Sequence, residues 1–145
     1  MKKLLFSTLA VVFIMTAGFT SVQDATIKFD EESWDFGTFK EGVQATHVFE
    51  FTNTGDKGLL ISRVQPSCGC TVSDHTKEVV KPGDKGYVKA VYNSKGRVGV
   101  FTKSITVHYS NEDGSNPRQL TLSIKGTVLA AETDNQSPVI VKPNN

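Results

Sequence analysis

The chain has 145 residues, enough for one domain with a real hydrophobic core and too few for the two packed lobes of many enzymes. Hydrophobic residues make up 38%, charged residues 21% and the formal net charge is +1, which excludes a disordered polyelectrolyte and argues against a nucleic-acid binder with a dominant basic face. Two cysteines supply neither the multi-disulfide framework of a miniprotein nor a four-cysteine zinc site.

Met1-Lys2-Lys3 gives a short positive region, and Leu4 to Phe19 an apolar run relieved only by hydroxyl and small residues before the chain turns polar at Gln23 and Asp24. This pattern reads as a secretory signal peptide over residues 1–22. The run is short for a membrane span, which takes about 20 apolar residues, and Ala17, Gly18, Thr20 and Ser21 suit signal peptidase. An uncleaved anchor is the alternative. No cysteine follows the run, so no lipoprotein attachment is expected, and no Ala-x-Ala triplet fixes the cleaved bond. Removing Lys2 and Lys3 takes the 16 basic residues to 14 against 15 acidic ones, a formal charge of −1 for the exported domain.

From Thr26 onward no window of a dozen residues holds a helical period free of Gly and Pro, whereas period-2 alternation recurs between turn residues. Short strands are expected near Ile27 to Phe29 and Trp34 to Thr38. In Thr46 to Thr52, His47, Phe49 and Phe51 share one face, and Asn53-Thr54-Gly55-Asp56 ends the strand with turn chemistry. Leu59 to Val64 follows and is closed by Pro66, which has no N–H for a central ladder. Tyr87 to Tyr92 comes after the turn residues Pro82-Gly83-Asp84, and Phe101 to Tyr109 turns Phe101, Ile105, Val107 and Tyr109 inward. Leu120, Leu122 and Ile124 alternate with Thr121, Ser123 and Lys125, as in a half-buried antiparallel strand. About seven strands at this spacing predict an all-β domain, a β-sandwich over residues 26–129, with a compact barrel as runner-up. Residues 130–145 read as a flexible C-terminal tail in which Val139-Ile140-Val141 can dock on a sheet edge, its own or a partner's.

Pro66-Ser67-Cys68-Gly69-Cys70-Thr71 is the most unusual string in the chain. Residues i and i+2 of a regular strand stand about 6.6 to 6.8 Å apart, whereas a disulfide wants Cβ atoms about 3.8 Å apart. Gly69 can tighten the backbone, so a strained local Cys68 to Cys70 bridge can form; it would close a tiny loop, add little stability and be labile enough for thiol exchange. A second reading packs both thiols as small hydrophobes at a strand end. A third adds His75 to give Cys-x-Cys-x4-His, a set suited to Cu(I) or an incomplete zinc site that lacks a fourth ligand. All three stay open, and Cys68 and Cys70 are the candidate disulfide or redox pair.

The remaining candidates are weaker. His47 and His108 fall on strand faces as ordinary core or surface histidines, and no Gly-x-Ser-x-Gly motif accompanies them. Gly96-Arg97-Val98-Gly99 is too short to cradle a phosphate and reads as a turn. Lys40, Lys57, Lys77, Lys81 and Lys85, interspersed with Glu41, Asp56, Glu78 and Asp84, form a solvated rim. Trp34 and Phe36 read as core aromatics.

Phe36-Gly37-Thr38, Glu41-Gly42, His47 through Gly55, Leu60-Ile61, Ser67-Cys68-Gly69-Cys70-Thr71, Pro82-Gly83, Gly99 with Phe101 and Lys103, and Ile124-Lys125-Gly126 together resemble the bacterial DUF1573 family. The resemblance covers nearly everything from Trp34 to Val128 and is most specific at Ser-Cys-Gly-Cys-Thr, while His75 lies outside the pattern. It implies an exported immunoglobulin-like β-sandwich, related to the ASH/HYDIN and major sperm protein group, and no established activity. The resulting expectation is a non-catalytic protein-binding or structural module of the periplasm or cell envelope, or of the extracellular space, that contacts another envelope protein by an edge strand or loop. Nucleic acid, a stable membrane span after signal cleavage, cofactors, a resident metal and catalytic residues are not expected. The rival expectation is a thiol-redox or Cu(I)-handling protein working through Cys68-Gly69-Cys70.

Overall fold

Alternating burial decides how each strand faces. In Lys85–Asn93 every second residue is buried, placing Gly86, Val88, Ala90 and Tyr92 inward, and Gln44–Asn53 turns Ala45, Phe49, Phe51 and Asn53 the same way. The computed structural model describes residues 24–67 and 71–131, with backbone alone for 71–73. The expected signal peptide over residues 1–22, Cys68 and Cys70, and Val139 to Val141 lie outside the described residues.

Eight strands run in order: β1 (Ile27–Phe29), β2 (Ser33–Lys40), β3 (Gln44–Asn53), β4 (Leu59–Pro66), β5 (Thr71–His75), β6 (Lys85–Asn93), β7 (Gly99–Asn111) and β8 (Arg118–Leu129). They form two four-stranded sheets, β1-β3-β6-β5 and β2-β8-β7-β4. This is the strand order of an immunoglobulin constant-type sandwich with its first strand divided between the sheets. β1 pairs antiparallel with β3, the chain bends at Asp30-Glu31-Glu32, and β2 then joins the other sheet parallel to β8.

The all-β sandwich is as expected, and two details differ from about seven antiparallel strands. The β2 and β8 pairing is parallel, because the divided first strand keeps its direction when it changes sheets. β5 is the additional strand; Thr71-Val72-Ser73-Asp74-His75 holds one aliphatic residue, so its sequence carries no apolar alternation. No helix among the described residues is long and apolar enough to cross a membrane.

The core lies between the sheets, where Phe49, Phe51, Leu59, Val88, Ile105, Val107, Leu122 and Ile124 are fully buried. Gly86 stands opposite Phe51 in the β3 and β6 ladder, and a Cβ there would run into the Phe51 ring, so only glycine lets that ring fill the layer. Two buried asparagines tie the loops at the Asp24 end of the sandwich. Asn53 Oδ1 accepts from the Thr26 and Gly55 amides while its Nδ2 donates to the Lys57 and Val80 carbonyls. Asn111 Oδ1 accepts from the Ala25 amide, and its Nδ2 donates to Asp24 Oδ1 and Ser115 Oγ. With four side-chain hydrogen bonds on Asn53 and three on Asn111, these amides tie the loops and the chain entry together with a partner at each end of each amide.

Candidate functional site

The described residues on either side of Cys68-Gly69-Cys70 belong to different sheets. Before it, β4 ends on one sheet, where the Ser67 amide donates to Ser104 O at 2.8 Å and Ser67 Oγ accepts from the Ser104 amide at 3.2 Å. After it, Thr71 opens β5 on the other sheet, opposite Tyr92. Both flanks are therefore anchored to neighbouring strands. His75 is at the far end of β5, opposite Val88, about 13 Å along the strand from Thr71. Burial pushes its imidazole below the ordinary value, with Asp74 opposing and Lys77 adding to the shift. Among the described residues no three metal-ligating side chains come together.

Trp34 is not a core aromatic. It is 36% exposed and stacks on His47, while Phe36 is partly buried against the core. β2 is the outermost strand of its sheet, so a residue near its start reaches the open flank of the sandwich. His47 Nε2 lies 2.8 Å from Glu31 Oε1, an ion-pair distance when the ring is protonated, although the N–H is not aligned with the oxygen as in a hydrogen bond. The histidine is thus absorbed into a structural contact. His108 lies on the outer face of β7, opposite Arg63 on one side and Gln119 on the other.

The end of the sandwich that gathers the β2–β3 turn, the β6–β7 loop and the end of β8 carries a different feature. Val43, Val98, Val100 and Leu129 are 45%, 59%, 83% and 48% exposed there. Gly99 pairs with Val128 and Val100 with Thr127, which sets Val100 on the outer face of β7 near the end of β8, with Val98 in the adjoining loop. Backbone and side-chain hydrogen bonds lock the segments together. The Glu41 amide donates to Leu129 O at 2.8 Å, Ser94 Oγ to Val43 O at 2.7 Å, and the Gly96 amide to Glu41 Oε1 at 2.6 Å. Gly96, at φ 71°, supplies the left-handed turn that aims its amide at Glu41.

A run of rings supports this end from below. Tyr92 stacks on Phe101 with centroids 3.8 Å apart, Phe39 meets Phe101 edge-on at 6.1 Å, and Phe36 meets Phe39 at 6.3 Å. Tyr92 is also the register partner of Thr71, so the residue after Cys70 and the apolar end share one support. Held this way, the aliphatic side chains cannot fold inward, and clustered exposed aliphatics on a rigid surface are the usual mark of a contact site. Sequence reasoning missed them, although the signal was present: with Phe101 inward, alternation sends Val100 outward.

None of the curated proteins matches the sequence significantly. Among solved structures the chain is similar to the ASH/PapD-like domain 7 of human CEP192, with a TM-score of 0.62 and 15% identity over 88% of this chain and 99% of that one. It is also similar to a protein of unknown function from Porphyromonas gingivalis W83, with a TM-score of 0.59 and 14% identity over 78% of this chain and 51% of that one. The Vibrio cholerae VesB protease follows, with a TM-score of 0.57 and 14% identity over 71% of this chain and 31% of that one. The chain thus spans about half of the second protein and a third of the third, and at these identities the likeness is one of fold. The family described as a protein of unknown function, DUF1573, matches residues 27–128, which run from β1 to the penultimate residue of β8; the chain belongs to the DUF1573 family.

Proposed function

We propose that the protein is an exported module of the cell envelope that binds another envelope protein through the Val98, Val100 and Leu129 end of its sandwich and carries out no catalysis of its own. The observation that carries this reading is the rigid display of four exposed aliphatic side chains at one end. A partner with a matching apolar surface would cover them, and burying about 25 cal/mol per Å² of apolar area gives such a contact its driving force. The leader at residues 1–22 supports export, and the immunoglobulin-like sandwich suits a module that presents loops from a stiff frame.

The test is affinity capture from envelope extracts with the wild-type protein and with a Val98→Asp/Val100→Asp variant of equal thermal stability. The reading expects a partner enriched by the wild type and lost from the variant. Equal enrichment by both, or none by either, contradicts it.

A further inference from the structure

Two adjoining clefts open on the outer face of the β2-β8-β7-β4 sheet, away from the apolar end. The first, of about 510 Å³, is lined by Ser62, Arg63, His108, Arg118 and Gln119 among others. The second, of about 380 Å³, shares His108 and Gln119 and continues over Gln65, Ser67, Ser104 and Thr106. A β-bulge between Ile61 and Arg63 creates the arrangement, because the extra residue Ser62 shifts the phase of β4. Ile61 then faces the core before the bulge and Arg63 faces outward after it, directly opposite His108, which is opposite Gln119.

The register sets three polar rungs across the face: Arg63, His108 and Gln119; then Gln65, Thr106 and Thr121; then Ser67 against Ser104 and Ser123. Rungs two residues apart are about 6.7 Å from one another, so the three extend over about 13 Å. No acidic side chain lines either cleft. Arg118 Nη2 stands 3.6 Å from Asp24 Oδ2, and Arg63 has no ion-pair partner among the described residues.

We propose that this double cleft is a binding site for an acidic saccharide, with a sugar carboxylate held by Arg63 and the hydroxyls of that sugar and its neighbours on Gln119, Gln65, Thr106, Ser104 and Ser67. The guanidinium fork matches a carboxylate, and charge-assisted hydrogen bonds of this kind are the strong ones. Hydroxyl and amide side chains both donate and accept, which is what a ligand rich in hydroxyls requires. An acidic peptide fits less well: the site lies on a sheet face whose backbone is already paired, whereas extended peptides are held by main-chain bonds at a free edge. The site is independent of the apolar end and of any partner bound there.

Isothermal titration of the exported protein with trigalacturonate tests the assignment, with maltotriose, sulfate and triglutamate as comparison ligands. The expected result is saturable binding that weakens with added salt, falls about tenfold or more in Arg63→Gln and falls by a smaller factor in Thr106→Val, with both variants melting like the wild type. Maltotriose, sulfate and triglutamate should each bind more weakly. Absence of saturable binding, wild-type affinity in Arg63→Gln, or equal binding of triglutamate or sulfate would overturn the proposal, the last by showing that the cleft reads charge alone.

Discussion

Trp34 and His47 stack face to face across the two sheets, with ring centroids 3.9 Å apart and planes 8° from parallel. The Phe49 ring meets His47 edge-on at 4.7 Å, and Glu31 closes the other side of the imidazole. The contact sits where the first strand leaves β3 for β8, so it covers the flank that the change of sheet opens. Replacing Trp34 by Ala should lower stability by about 1–3 kcal/mol, less than for a fully buried tryptophan because the ring is partly exposed. Urea unfolding measures this directly, and a Trp34→Ala/His47→Ala double-mutant cycle should show a coupling of about 0.5–1.5 kcal/mol. A loss below about 0.5 kcal/mol would mean that the flank is held without the stack.

Asn53 is fully buried and bonded at both ends of its amide. Asn53→Ala leaves the Val80 and Lys57 carbonyls and the Gly55 amide without this partner and should cost about 2–4 kcal/mol. Asn53→Asp should be no milder, because a carboxylate oxygen would then face the two carbonyls. Thermal unfolding of the two variants against Asn93→Ala, an exposed control at the end of β6, checks the claim.

Stability should decline with acid in two separable steps. Burial, the largest cause, places the folded-state pKa of His75 below 6.5, so the folded protein takes up this proton less readily than the unfolded chain. Its contribution is whole above about 6.5 and is lost as pH falls from there toward the lowered value. Asp24 behaves as a depressed carboxylate, held down chiefly by the hydrogen bond from Asn111 with help from Lys57; its stabilisation is present above its ordinary 3.8 and disappears as pH falls through the lower folded value. Urea midpoints across pH 3 to 8 should therefore lose their upper step in His75→Gln and keep the lower one. An unchanged upper step would assign that decline to another group.

The Cys68 and Cys70 pair should matter little to folding. Even a closed bridge between them encloses so short a loop that its entropic contribution is under about 2 kcal/mol. A Cys68→Ser/Cys70→Ser variant is expected to unfold within that margin of the wild type under oxidising conditions, and a larger loss would make the pair a structural staple. Intact-mass comparison with and without reductant, and with Cu(I) added, separates bridged, free and copper-holding states.

The strands that alternate strongly were legible in the sequence. Phe49 with Phe51, Ile105 with Val107, and Leu122 with Ile124 each declared their inward face before the sheets were known. Three things were not. The change of sheet at Asp30 to Glu32 depends on β2 finding β8, a pairing about 90 residues away in the chain. The role of Asn53 was hidden because the same residue also satisfies turn chemistry, and only the fold brings Val80 to it. The apolar end was hidden because Val43, Val98 and Leu129 belong to a turn, a loop and a strand end far apart in the chain that tertiary hydrogen bonds draw together.

The binding role proposed for that end is open to direct observation. A photo-crosslinking amino acid placed at Val100, 83% exposed at the apolar end, is compared in cells with the same group at Val79, an aliphatic residue 41% exposed near the opposite end, beside Gly58. Irradiation should yield a discrete adduct with one envelope protein from position 100 and none from position 79. No adduct from position 100, or the same adducts from both positions, would contradict the account.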